Sequence, residues 1–136
     1  MAGDCDSLIV YADGASRGNP GPASFGAVVF DKNGNEMNRV GEQIGRATNN
    51  VAEYRGAIAG LELALALGAR SVELRLDSEL VVRQLQGRYR VRNPDLKKLF
   101  VQAKDLQRQF SAFRALSIPR EKNQLADQIA NQAFDS

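Results

Sequence analysis

Between Ser7 and Asp13 (SLIVYAD) the chain is apolar at almost every position, the pattern of a strand buried on both faces. Ala23–Asp31 (ASFGAVVFD) reads the same way, and Glu36–Ile44 as a third, more polar strand. The pair Asn33-Gly34 between the last two favours a tight hairpin turn, because both residues tolerate positive φ. Three antiparallel strands are therefore expected to open the chain.

The period then lengthens. From Val51 to Leu67, Tyr54, Ile58, Leu61 and Leu65 recur at helical spacing and Gly68 follows as a stop. Thr48, Asn49 and Asn50 offer side chains that cap such a start. Ser71–Leu76 alternates as a strand and runs into Asp77 and a short helix over Ser78–Gln86. Asn93 and Pro94 supply a cap and a first helical residue for a helix carrying Leu96, Leu99, Phe100 and Leu106 on one face. Phe113–Ile118 is the last expected strand, Pro119–Lys122 a basic turn, and Asn123–Phe134 a terminal helix. The order βββαβααβα predicts an α/β fold. A right-handed crossover sets the fourth strand parallel to the first, in a mixed five-stranded sheet with helices on its faces.

Composition narrows this to an ordinary globular protein. The 136 residues suit a single domain, 43% are hydrophobic and 25% charged, and no tryptophan is present. The one cysteine, Cys5, cannot form an internal disulfide, which suits a reducing, cytoplasmic setting. No apolar run is long enough for a membrane span, and the acidic start MAGDCDS does not read as a signal peptide. No exposed apolar stripe calls for a partner subunit, so a monomer is expected.

The net charge of +2 conceals a division. Residues 1–82 hold 7 Lys/Arg against 11 Asp/Glu, whereas residues 83–122 hold 11 against 3. Metal-binding carboxylates beside a polyanion-binding surface would give this asymmetry.

Four acids carry the candidate chemistry. Asp13 and Asp77 end strands expected to be parallel neighbours, so both emerge at one edge of the sheet, where α/β proteins place ligands. Glu53 is expected in the first turn of the long helix, whose small residues Ala57 and Gly60 permit a close approach to the sheet. Asp127 is expected in the first turns of the last helix. Singly, such acids are commonly turn formers or complements to a helix dipole. Together they would repel one another unless cations lay among them. With oxygen ligands and no histidine, Mg²⁺ or Mn²⁺ is favoured over zinc.

The segments YADGASRGNPGPASFGAVV, TNNVAEYRGAIAGLELAL, LDSELVVRQLQG and IPREKNQLADQIANQAF resemble the four blocks of type 1 ribonuclease H, in the same order and spacing. With their connectors they cover nearly the whole chain. The resemblance implies a mixed five-stranded sheet and endonucleolytic hydrolysis of the RNA strand of RNA/DNA hybrids. It places the family's four metal-binding acids on Asp13, Glu53, Asp77 and Asp127. Asp13 would bridge two ions roughly 4 Å apart. Asp127 would hold the ion that activates water, and Glu53 and Asp77 the one on the leaving-group side.

The resemblance also assigns the loop after Asp13. GASRGNPG lacks the Gly-Lys-Ser/Thr ending of a nucleotide-binding loop and leads into a strand. Backbone amides of Gly14, Ala15 and Ser16 would instead meet ribose hydroxyls in the wide minor groove of an RNA-containing duplex. Counterparts of Asn19 and Thr48 seat a DNA-strand phosphate, that of Asn50 reads the minor groove, and Asn49 and Glu79 match further contact positions. Glutamine is common where Glu79 stands.

Two departures stand out. Many relatives carry a histidine before the last acid; here that loop is PREKNQ, with Arg120 or Lys122 as candidates for phosphate or product handling and Asn123 expected to cap the final helix while lying near the site. Some short relatives with such a loop accept RNA/RNA duplexes, a second substrate candidate. The long basic insertion of other relatives is reduced to GRYRVRNPD, leaving Arg88, Arg90, Arg92, Lys97 and Lys98 to grip phosphates. The alternatives are a catalytically silent hybrid-binding module, another nuclease of this fold, or a detached reverse-transcriptase domain. Proofreading exonucleases place two acids two residues apart on the first strand, where this chain has Asp13 and Ala15.

Overall fold

The computed structural model describes residues 6–135. Three strands open it: β1 (Ser7–Ser16), β2 (Gly21–Asp31) and β3 (Glu36–Ala47). Helix α1 (Asn49–Ala66), β4 (Ser71–Leu76), α2 (Glu79–Leu85), α3 (Pro94–Gln107), β5 (Ala112–Ser117) and α4 (Gln124–Ala133) follow. The sheet order is β3-β2-β1-β4-β5. β1 pairs antiparallel with β2 and parallel with β4, and β4 pairs parallel with β5. This is the mixed five-stranded sheet expected from the alternation of periods, and the crossover through α1 makes β1 and β4 central.

One face of the sheet carries the main core. Leu8, Val10, Ala12, Leu74 and Leu76 are buried with Tyr54, Ile58 and Leu61 of α1. Leu96 and Ala103 of α3 join the same cluster. Helix α4 covers β2 on the opposite face, at a separation only glycine allows: a Cβ on Gly26 would lie 2.5 Å from the Ala126 carbonyl oxygen. Caps fall where the sequence placed them. Thr48 Oγ1 accepts from the Val51 amide at 3.2 Å, and Asn93 Oδ1 from the Asp95 amide at 2.9 Å. Among the described residues no helix is long and apolar enough to cross a membrane.

Four local expectations are corrected. β1 does not end on Asp13 but continues to Ser16, because Gly14, Ala15 and Ser16 find partners in Phe25, Ser24 and Ala23 of β2. β3 likewise runs on to Ala47, paired with Gly21. The hairpin after β2 has positive φ at Gly34 alone, since Asp31 closes the loop by accepting the Asn33 and Asn35 amides, each at 2.9 Å. β5 begins one residue before Phe113, where Ala112 pairs with Ser71. Cys5 lies outside the described residues.

Candidate active site

The parallel register fixes the first pair of acids. Tyr11 of β1 stands opposite Arg75 of β4, so Asp13 and Asp77, two residues further on each, come level where β4 stops. Asp13 is therefore not a strand-end residue. It lies within β1 and gains access to the cleft because its neighbour β4 has ended.

Glu53 enters from α1. The helix starts at Asn49, two residues earlier than expected, which sets Glu53 in its second turn and not its first. Gly14 permits this approach: a Cβ there would come within 2.4 Å of the Ala52 carbonyl carbon and the Glu53 amide nitrogen. The Gly14 N–H donates to Asp13 Oδ1 at 3.0 Å and to Glu53 Oε1 at 3.3 Å. One backbone donor thus serves two carboxyls.

Carboxylate oxygens of Asp13, Glu53 and Asp77 all lie within 4.8 Å of one another. Asp13 and Glu53 are buried, and Glu53 Oε2 has no hydrogen-bond partner among the described residues. Burial and then the Glu53 and Asp77 charges push the Asp13 carboxyl far above the usual carboxylate range. Burial also raises Glu53, against the opposing influence of Asp13, the Gly14 amide and Arg120. A cluster so poor in donors fits a hard divalent cation, which would satisfy Glu53 Oε2 and neutralise the repulsion.

Asp127 lies in the first turn of α4, exposed, lining the same cleft of about 450 Å³. Its contact with the Asp13 carboxyl adds to the upward push on Asp13. Asn131, one turn on, donates to Asp127 Oδ1 at 3.1 Å and holds its orientation. Asn123 occupies the position before α4 but does not cap it. Its Nδ2 instead donates to the Ala12 carbonyl at 2.9 Å and to Asp77 Oδ2 at 3.0 Å, tying β1 to the end of β4.

The remaining candidates divide by position. Gly14, Ala15, Ser16, Asn49, Asn50 and Arg120 line the acidic cleft. Asn19 and Thr48 line an adjoining hollow with Asn50 and Asn93, and Asn19 Oδ1 accepts the Asn49 amide at 3.1 Å. Arg88, Arg90 and Lys97 line a separate groove, while Arg92 and Lys98 are exposed outside its lining. Glu79 is absent from the cleft lining and pairs with Arg83 one turn along α2. Asn131 and Ser78, both in the cleft lining, escaped sequence reading. Asn131 was detectable as the residue four positions after Asp127 on one helix face.

Comparison with known proteins agrees with this geometry. A family model described as reverse transcriptase-like matches residues 11–133. The N-terminal RNase H domain of Rv2228c from Mycobacterium tuberculosis superposes with a TM-score of 0.93 at 50% identity, covering 95% of this chain and 94% of that one. RNase H1 from Halobacterium salinarum superposes with a TM-score of 0.92 at 45% identity, covering 95% and 98%. The chain belongs to the type 1 ribonuclease H family.

LC11-RNase H1, solved in complex with an RNA/DNA hybrid, also matches, with a TM-score of 0.89 at 43% identity over 94% of this chain and 96% of that one. Curated family members are longer. The chain spans 36% of the M. tuberculosis bifunctional protein Rv2228c, at 51% identity over 130 residues. It spans 63% of the H. salinarum ribonuclease HI, at 46% identity over 125 residues.

Proposed function

We propose that the chain is a divalent-metal-dependent endoribonuclease that hydrolyses the RNA strand of RNA/DNA hybrids, acting as a monomer. The observation that carries this reading is the gathering of Asp13, Glu53 and Asp77 from three separate elements within 4.8 Å, with a buried carboxylate oxygen left unpartnered. Asp127 completes the set from α4. Two Mg²⁺ ions, or Mn²⁺ in their place, would supply a water-derived nucleophile and neutralise charge at the scissile phosphate and leaving oxygen.

The chain's own groups set the rest. Asp13 contacts Glu53 and Asp127 and lies near Asp77, and it would help to hold the ions with each of them. Asn123 holds Asp77 by its Oδ2, leaving the other carboxylate oxygen for a ligand. Asn131 does the same for Asp127. Asn49 and Asn50, at the start of α1, and the β1 extension of Gly14, Ala15 and Ser16 form the cleft walls against which a minor groove with 2′-hydroxyls would lie. Arg120 contributes a cation that cannot act as a base at ordinary pH, which confines it to phosphate or product handling. Arg88, Arg90, Arg92, Lys97 and Lys98 supply salt-sensitive affinity at a distance from the cut.

Cleavage of an end-labelled RNA/DNA hybrid tests this reading, with Mg²⁺, Mn²⁺ or EDTA and with RNA/RNA and DNA/DNA controls. Internal cuts in the RNA strand are expected with either ion and none in EDTA. Cleavage of the RNA/RNA control would extend the substrate range. A hybrid that is bound but uncut with both ions would overturn the proposal in favour of a silent binding module.

A further inference from the structure

A second cavity opens on the α4 side of the sheet. It has a volume of about 380 Å³ and is floored by Ile9 and Tyr11 of β1 and Phe30 of β2. That size falls within the range of small-molecule sites, roughly 300–1,000 Å³. Leu125 and Ala126 of α4 form one wall and the hairpin residues Asp31, Lys32 and Gly34 the other. Tyr11 and Phe30 meet edge to face, with ring centroids 5.8 Å apart, and the Arg75 guanidinium lies over the Tyr11 ring, 5.3 Å from its centroid. Tyr11 is fixed further by Arg75 Nη1, which donates to its hydroxyl at 2.6 Å.

The polar rim carries two cations against one carboxylate. Lys32 and Lys122 border the cavity, and neither has an ion-pair partner among the described residues. Asp31 also borders it, but its carboxylate is already engaged by the Asn33 amide and by the amide and side chain of Asn35. Asn123 lies in the lining too. Its buried Oδ1 lacks a partner among the described residues, while its Nδ2 holds Asp77 on the far side.

We propose that this groove binds a planar aromatic carboxylate, its ring packed on Tyr11 and Phe30 and its charge met by Lys32 and Lys122. The site is distinct from the acidic cleft, which would repel such an anion; their linings share no residue, and the link between them is Asn123, which borders this groove and donates to Asp77 in the cleft. An occupant therefore rests against the residue that orients Asp77.

Titration of the chain with 2-naphthoate, followed by ¹H–¹⁵N correlation spectra, tests the proposal. Saturable shifts are expected at the amides of Ile9, Tyr11, Lys32, Asn123 and Leu125. The neutral analogue 2-naphthalenemethanol should bind more weakly by about fivefold, the worth of two partly exposed charge contacts. The double variant Lys32→Gln/Lys122→Gln, changed only at exposed positions, should lose the same factor for naphthoate while its spectrum remains that of the folded chain. Shifts that scatter elsewhere or fail to saturate would overturn the proposal. So would equal affinity for the acid and the alcohol, or for the parent chain and the double variant.

Discussion

Two aspartates on the first hairpin are buried almost equally, Asp13 at 5% exposed and Asp31 at 3%. Their surroundings are opposite. The Asn35 side chain and amide, with the amides of Asn33 and Gly34, hold the Asp31 carboxyl below its usual range. Asp13 accepts one amide, shares that donor with Glu53, and otherwise faces acids. Burial alone therefore says little about role. An engaged buried carboxylate stabilises its turn, whereas one left among its own kind opposes folding and would be relieved by a cation.

The strongest test of that contrast is Asp13→Asn. Cleavage should fall by at least ~100-fold, while stability in EDTA should rise by about 1 kcal/mol as repulsion is relieved. Single-turnover cleavage and thermal unfolding check the two halves, and a drop in both would mean that Asp13 is structural. Asp31→Ala should do the reverse. It removes the acceptor that closes the hairpin through Asn33 and Asn35 and should lower the unfolding temperature, with cleavage kept within about twofold below the unfolding range.

A smaller effect appears in pH. Asp13 and Glu53 are raised, so the metal-free folded state holds protons that the unfolded chain has released, and stability falls as pH rises above the ordinary carboxylate range. Asp31 is lowered, so its contribution is present at neutral pH and lost as pH drops through its folded value. Stability in EDTA should therefore fall towards both ends, and Asp13→Asn should flatten the alkaline side alone. Smallest of all, Arg88→Gln or Arg90→Gln should weaken hybrid binding modestly, each reducing the slope of log affinity against log salt by about 1. An unchanged slope would detach this basic groove from substrate.

The same contrast marks what could be read before any coordinates. The four acids, the helix caps at Thr48 and Asn93 and the alternation of strands and helices are local signals, and each was legible. The extension of β1 past Asp13 was not, because Gly14, Ala15 and Ser16 become a strand only through pairing with Ala23–Phe25. Asn123 read as a cap from its place before a helix; its actual bonds go to Ala12 and Asp77, residues distant in sequence. Asp31 and Asp13 each end an apolar run, so the sequence pattern could not separate the satisfied carboxylate from the frustrated one. Only the donors around them do.

The central claim is that the Asp13, Glu53 and Asp77 cluster with Asp127 is a divalent-cation site, and ion-linked stability tests it most directly. Thermal unfolding of the wild-type chain and of Asp13→Asn would be followed against Mg²⁺ at constant ionic strength. The wild type should gain about 1.4 kcal/mol once the ion reaches tenfold its dissociation constant, and the variant should gain far less. A wild type indifferent to Mg²⁺, or a variant stabilised to the same extent, would contradict the account.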